Sequence, residues 1–489
     1  MSSSESIAPI APRPAAEVGT WEAEADVVVV GYGCAGAAAA IGALESGSSS
    51  VTVLERAGAG GGASAMAGGE IYLGGGTPVQ KACGFDDTPQ AMYDFLMAAT
   101  GPSPNEEKIA IYTDRSVEHF HWLVECGVVF KPSFYPTPCW EPPTDDGLVF
   151  TGGENAWPFS EVAPPAPRGH VPQIQNKRLM ERSGGWELMR HLTATAERLG
   201  AWIRSDCRVT HLVVDGGAVV GVVARSFGTE LAVRARHGVV LAGGGFASNP
   251  GMVARHVPAL AGQMVLGTDG DDGTAIRLGQ GAGAMVAHLD AAEAALPSNP
   301  PLVYPSLLVN QFGQRFINED TYCGRVGQMA LFHQQGRCSL VLDERIFESI
   351  PEEDRWGARP TYVAATVAEL EAEMGLAEGS LQSTVDVYNR HAARGEDPVF
   401  HKRSEFVRPL ESPFGAIPLT GPYAVFTLGG LVTTVDGEVV GAAGEPIPGL
   451  FAAGRCTWGI PSWGYASGTS LGDGTFFGRR AGLKAGAAG

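Results

Sequence analysis

The run Ala25-Asp26-Val27-Val28-Val29-Val30-Gly31-Tyr32-Gly33-Cys34-Ala35-Gly36, followed by Val51-Thr52-Val53-Leu54-Glu55, decides the fold. Four consecutive β-branched residues predict a buried strand over Ala25–Val30. The Ala-rich stretch from Cys34 to about Ser46 predicts a helix, and Val51–Glu55 a second strand, which completes a βαβ unit. Between strand and helix stands GxGxxG at Gly31, Gly33 and Gly36. Glu55 lies 19 residues beyond Gly36, near the spacing of an acid that accepts ribose hydroxyls. Gly31 permits the turn, Gly33 lets a pyrophosphate reach the backbone, and Gly36 lets the helix pack close to the strand. The helix N-terminus then favours the phosphate charge. An acid at the ribose repels a 2′-phosphate, which disfavours NADP.

Outward from this unit, glycine organises the chain. There are 67 in 489 residues, about twice the average usage, with no three-residue period. Many gather at Gly31–Gly36, Gly58–Gly76, Gly243–Gly245, Gly429–Gly430 and Gly449–Gly478. Between about 290 and 424 they thin out, and helical stretches Val367–Met374 and Ser380–Arg394 appear. The predicted architecture is α/β: a Rossmann-like domain, a parallel sheet with helices, formed by residues 25–289 and 425–489. An inserted α+β capping module at 290–424 interrupts it. Residues 1–24, rich in Ser, Ala, Pro and Glu, are expected to form a flexible tail. A helical stretch is expected at Glu106–Cys126, another at Gly185–Leu199, and a hairpin turn at Asp215-Gly216-Gly217.

Charge and cysteine usage narrow the partners. A net charge of −19 argues against nucleic acid, whose binding needs Lys and Arg on phosphates. The uncharged run Val27–Leu44 is broken by glycines, so no transmembrane segment is expected. The eight cysteines are scattered, with no CxxC pair and no His at zinc spacing, so no metal is expected and a cytoplasmic, reducing setting fits.

Further stretches favour FAD over NAD. Gly62-Ala63-Ser64 and Gly68-Gly69 come soon after Glu55-Arg56, and strand Val239–Ala242 runs into Gly243-Gly244. Gly449–Ala453 reads as a strand leading to Gly454-Arg455, and Ser470-Leu471 opens the last helix. A helix N-terminus there would set positive partial charge near the flavin N1/C2=O edge.

Longer stretches carry more: Gly74-Gly75-Gly76-Thr77, Lys81-Ala82-Cys83-Gly84-Phe85-Asp86-Asp87, Ala166-Pro167-Arg168-Gly169-His170-Val171-Pro172-Gln173, Phe426-Thr427-Leu428-Gly429-Gly430-Leu431 and Gly464-Tyr465-Ala466-Ser467-Gly468-Thr469-Ser470-Leu471-Gly472-Asp473-Gly474. The framework resembles flavoproteins of the fumarate reductase and succinate dehydrogenase type. Within it, the chain is similar along nearly its full length to the 3-ketosteroid Δ4-(5α)-dehydrogenases. The resemblance implies non-covalent FAD, since the linking His of some relatives would fall near Ala63 or Ser64. Dicarboxylate reductases of the wider type hold substrate with His and Arg and deliver a proton from Arg. Here the His position falls at Phe426 or Val425 and the clamping Arg position at Tyr465. The proton-donor position, beyond Arg315-Phe316-Ile317-Asn318-Glu319, falls near Tyr322 and Cys323, with Arg325 as a rival. A neutral, flat, mostly apolar ketone suits such a lining.

The implied reaction introduces a C4–C5 double bond beside the C3 ketone, the C5 hydride passing to flavin N5. Tyr465 is the expected base, with Ser467 as relay and Tyr322 as second hydroxyl. Phe426, Gly468 and Trp463 are expected at the substrate. Trp458 and Trp463 depart from the family's pattern, in which smaller residues precede Gly-Tyr-Ala-Ser. An unperturbed tyrosine is a poor base at neutral pH, so relay or depression is required. Cys34, Arg325, Arg455, His391 and His401 also have plain structural readings. Only one GxGxxG is present and no dedicated nicotinamide domain is visible, which points to an external electron acceptor. The alternatives are an ene-reductase running the same chemistry backwards and an electron-transfer flavoprotein without substrate chemistry.

Overall fold

The computed structural model describes residues 7–174 and 183–488. Strands β1 (Arg13–Pro14) and β2 (Ala23–Val30), helix α1 (Cys34–Glu45) and strand β3 (Val51–Leu54) come first. Strands β4 (Trp202–Arg204), β5 (Arg208–Asp215), β6 (Ala218–Ser226) and β7 (Thr229–Leu241) follow after a helical and irregular excursion. They build one sheet in the order β1-β5-β6-β7-β2-β3-β4. β7, β2, β3 and β4 are parallel, with Val239 opposite Val28 and Val27 opposite Val51, whereas β5, β6 and β7 form an antiparallel meander. Val27–Val30 are buried, as a strand flanked on both sides by parallel neighbours requires.

The inserted stretch has its own sheet. Strands β8 (Met264–Val265) and β9 (Ala292–Ala295) lie at its border, followed by β10 (Leu307–Asn310), helix α2 (Cys323–Gln328), β11 (Cys338–Asp343), β12 (Tyr362–Ala364) and β13 (Phe414–Pro418). The order β10-β11-β13-β12 makes a four-stranded antiparallel sheet. The chain then returns through β14 (Ala424–Thr427), which lies between β8 and β9, and through β15 (Glu438–Val440) and β16 (Pro446–Ala452). β16 pairs parallel with β7 and so joins the main sheet.

The last helix, α3 (Thr469–Gly486), runs alongside α1 in the same direction and almost backbone to backbone. A Cβ on Gly478 would stand 2.4 Å from Ala35 O, and one on Gly482 2.0 Å from Ala39 O. Both helix N-termini therefore lie at the same end.

Two expectations are corrected. Residues 7–24 are not a loose tail: Arg13 and Pro14 pair with Val213 and Val214, and Val18 and Trp21 pack on the meander. Residues 1–6 lie outside the described residues. The stretch 106–126 is two helices, Glu106–Asp114 and Ser116–Glu125, parted at Arg115.

Candidate active site

β2, β3, β7 and β16 end on the same edge of the sheet, the edge at which open α/β sheets take ligands. β2 runs into Gly31, whose φ of 100° is a glycine conformation. A Cβ on Gly31 would meet Ala242 O at 2.5 Å, and one on Gly36 would meet Gly31 O at 2.0 Å. Gly33 caps α1 with no side chain and is half-buried, so the first amides of the helix open onto a ledge. The Cys34 amide donates to Ser64 Oγ at 3.1 Å, which ties the loop carrying Gly62, Ala63, Gly68 and Gly69 to this turn. Gly454 comes in from β16, close enough that a Cβ would lie 2.8 Å from that of Ala35. Ala242 and Gly243 come against Gly31, Gly244 lies against Asp271, and Ser470 and Leu471 stand in the first turn of α3.

Glu55 closes the far end. Its Oε2 accepts the Tyr32 amide at 2.7 Å and its Oε1 the Ala57 amide at 2.8 Å, and each oxygen keeps a lone pair for a ribose hydroxyl. Arg56 is turned to Asp272 at 2.8 Å, and Arg455 holds Asp271 at 3.0 and 3.2 Å. Burial pushes the Cys34 thiol up, so it stays neutral. A ledge that side chains would fill, two helix N-termini and an acceptor acid fit a flavin dinucleotide.

The adjoining wall is made of side chains. β9 and β14 pair antiparallel with Glu293 directly opposite Phe426. Ala291, Tyr322, Phe426, Leu428 and Tyr465 form one buried cluster, with Trp140 against it. The Phe426 and Tyr465 rings are 5.2 Å apart, edge to face, and those of Tyr322 and Tyr465 are 6.3 Å apart. Of Phe426 and Val425, Phe426 belongs to this cluster; strand alternation sends Val425 into the main core. Tyr322, not Cys323, is the cluster's member from the start of α2. Ser467, Tyr322, Trp140 and Thr151 line one small pocket. Gly468 caps α3 with φ of 96°. Trp463 is outside the cluster and 37% exposed, and its carbonyl accepts Gln328 Nε2. Arg325 turns away too, donating to Ala99 O at 2.8 Å with its guanidinium 4.5 Å from the Phe159 ring centroid.

Glu293 is the residue that sequence reasoning missed. The Tyr322 hydroxyl donates to its Oε1 at 3.0 Å. The local sign was an acid inside the apolar run Ala291-Ala292-Glu293-Ala294-Ala295. Burial lifts its carboxyl to about 8, against Tyr322 and Arg325, which draw it down. Burial also raises the Tyr465 phenol, while the Ser470 amide, donating to its oxygen at 3.4 Å, works the other way. Tyr322 is held well above an ordinary phenol, by burial first and Glu293 second. Arg325 is drawn down to about 10 by burial.

The FAD binding domain family matches residues 26–471. The crystal structure of 3-ketosteroid-Δ4-(5α)-dehydrogenase from Rhodococcus jostii RHA1, in complex with 4-androstene-3,17-dione, is 55% identical and has a TM-score of 0.95; the match covers 98% of this chain and 100% of that one. The 3-oxo-5-alpha-steroid 4-dehydrogenase of Comamonas testosteroni is 27% identical over 89% of this chain and 93% of its own. The NADH:acrylate oxidoreductase of Vibrio harveyi is 30% identical over 76% of this chain, and the match spans 36% of that longer protein.

Proposed function

Because the chain belongs to the FAD binding domain family, we propose that it is a dehydrogenase that introduces the C4–C5 double bond into 5α-3-ketosteroids. The observation that carries this reading is the buried cluster of Tyr322, Phe426, Leu428 and Tyr465, side chains without a cation, with Tyr322 also lining the adjoining pocket. Such a lining suits a flat, neutral ketone and has no cation to neutralise a dianion. The likeness to a structure with bound 4-androstene-3,17-dione supports it.

FAD is the cofactor, held without a covalent bond by Gly31–Gly36, Glu55, the Gly62–Gly69 loop, Ala242–Gly244, Gly454 and the start of α3. When bound, it supplies the two-electron acceptor for the C5 hydrogen. The chain's own residues handle the proton. Tyr465 takes it from C4, Ser467 relays it, and Tyr322 offers the second hydroxyl. The Ser470 amide donates to the Tyr465 oxygen and favours its phenolate, the form that can take the proton. The backbone around Gly468 faces the developing enolate, and Phe426 packs on the steroid plane.

We place the junction of the FAD domain (25–289 and 425–489) and the capping module (290–424) at the β9–β14 pair, so that both supply the pocket wall. Electrons leave to an external acceptor. Eight unbridged cysteines suit a cytoplasmic setting. Among the described residues no helix is long and apolar enough to cross a membrane.

Anaerobic titration with a saturated 5α-3-ketosteroid tests the reading. The flavin band is expected to bleach, and Tyr465→Phe to slow bleaching by about 10²–10⁴-fold. A flavin that stays oxidised with every 3-ketosteroid, yet reoxidises rapidly with an enone after chemical reduction, would show a reductase instead.

A further inference from the structure

Glu293 is 1% exposed, and the reaction as described does not use it. Its Oε1 receives the Tyr322 hydroxyl, and its Oε2 is buried with no hydrogen-bond partner among the described residues. Helix α2 makes room for the pair. A Cβ on Gly324 would stand 1.8 Å from Glu293 Oε1 and 2.4 Å from the Tyr322 ring, and one on Gly327 1.9 Å from Ala294 O. Burying a half-satisfied carboxyl costs stability that an apolar residue on β9 would not. Residues kept at such a cost beside a pocket are candidates for function.

We propose that Glu293 is a positioning residue behind the pocket, fixing the Tyr322 hydroxyl and accepting its proton when the substrate gives one up. This rests on the dehydrogenase reading. The C4–H bond breaks and its electron pair becomes the C4=C5 π bond as the C5 hydrogen departs with its own pair to the electron acceptor. The C4 proton enters the hydroxyl set; Tyr322 gains a proton there and passes its own to Glu293 Oε1, turning carboxylate into carboxylic acid. A carboxyl lifted to about 8 is a stronger acceptor than an ordinary one. The Tyr322 hydroxyl meets it at the start of α2, the Arg325 charge acts on it although that guanidinium bonds Ala99 O, and Tyr465 feels it from the loop before α3. Glu70 acts on both tyrosines in the same direction as burial, as the weakest of the influences that raise them.

The test compares kcat and KM against pH for wild type, Glu293→Gln, Glu293→Asp and Gly324→Ala. Wild-type kcat is expected to rise with pH through about 8. In Glu293→Gln, flavin content is unchanged and KM stays within about twofold. Its kcat falls by about 10²-fold, and the rise with pH is gone. Glu293→Asp recovers part of the rate, and Gly324→Ala, which keeps the acid but parts the pair, resembles Glu293→Gln. A Gln variant with wild-type kcat and the same pH limb overturns the proposal. Infrared difference titration of wild type against Glu293→Gln needs no steroid. A protonated-carboxyl band should fade as pH rises through about 8, and its absence at neutral pH also overturns the proposal. No flavin bleaching with the band present overturns the steroid reading alone.

Discussion

Glu293 and Glu319 are both out of water, at 1% and 0% exposure, and end in opposite electrical states. Arg315 forks across Glu319 at 2.9 and 2.7 Å, Lys402 reaches it at 3.0 Å, and the Leu308 amide donates at 2.9 Å. Burial alone would lift its carboxyl, but Arg315 and Lys402 outweigh burial and hold it below the ordinary range. Asp397 takes the other side of Arg315 at 3.1 and 2.7 Å. Glu293 has one phenol hydrogen bond and an arginine that bonds elsewhere, and burial wins. Depth is the same in both places. The cations in reach decide whether a buried acid becomes a fixed tie or a group that titrates in the working range.

Removing the tie should have the largest effect. Glu319→Gln leaves Arg315 and Lys402 short of an acid and is expected to cost about 3–5 kcal/mol, read as a lower urea midpoint at unchanged slope. Lys402→Met removes one of two cations while Arg315 still holds the carboxylate, so a loss of about 2 kcal/mol is expected in the same measurement.

Glu293→Gln should act with the opposite sign. The folded carboxyl titrates above its ordinary 4.5, at about 8, so between these values the native state keeps a proton the unfolded chain has lost. Wild-type stability therefore falls with rising pH across that window, by up to ~1.4 kcal/mol per pH unit. The Gln variant lacks this slope and gains on wild type toward pH 8, checked by thermal midpoints across the range. Parallel curves would erase the contrast with Glu319, whose contribution is full above the ordinary carboxylate value and lost as acid protonates it. Smallest of all is the pair Arg13–Glu230, 2.6 Å apart but in water. Arg13→Ala should leave the midpoint within experimental scatter.

The dinucleotide half of the molecule was legible because its information is local. Val27–Val30, the glycines at 31, 33 and 36, and Glu55 belong to one short stretch and dictate one another's conformation. The pocket wall was half legible. Tyr322, Phe426 and Tyr465 lay in stretches with recognisable neighbours, whereas Glu293 met Tyr322 only through the approach of α2 to β9, which Gly324 and Gly327 permit. Trp463, expected at the substrate, is 37% exposed and outside the cluster that holds Tyr465 two residues on. Arg13 and Pro14 find their partners at Val213 and Val214, and nothing in a stretch rich in Ser, Ala and Pro announces a pairing that distant.

That first short strand has a bearing on solubility. β5 would otherwise be the rim of the main sheet, with its amides and carbonyls open to another chain. The two paired residues blunt the rim, Pro14 has no amide to extend it further, and Val18 and Trp21 lie over Val213, Val223 and Ala232 on the adjacent face. A chain begun at residue 23 keeps every residue of the pocket and the dinucleotide ledge. It should still bind flavin while associating through its bared rim, visible as concentration-dependent growth in light scattering.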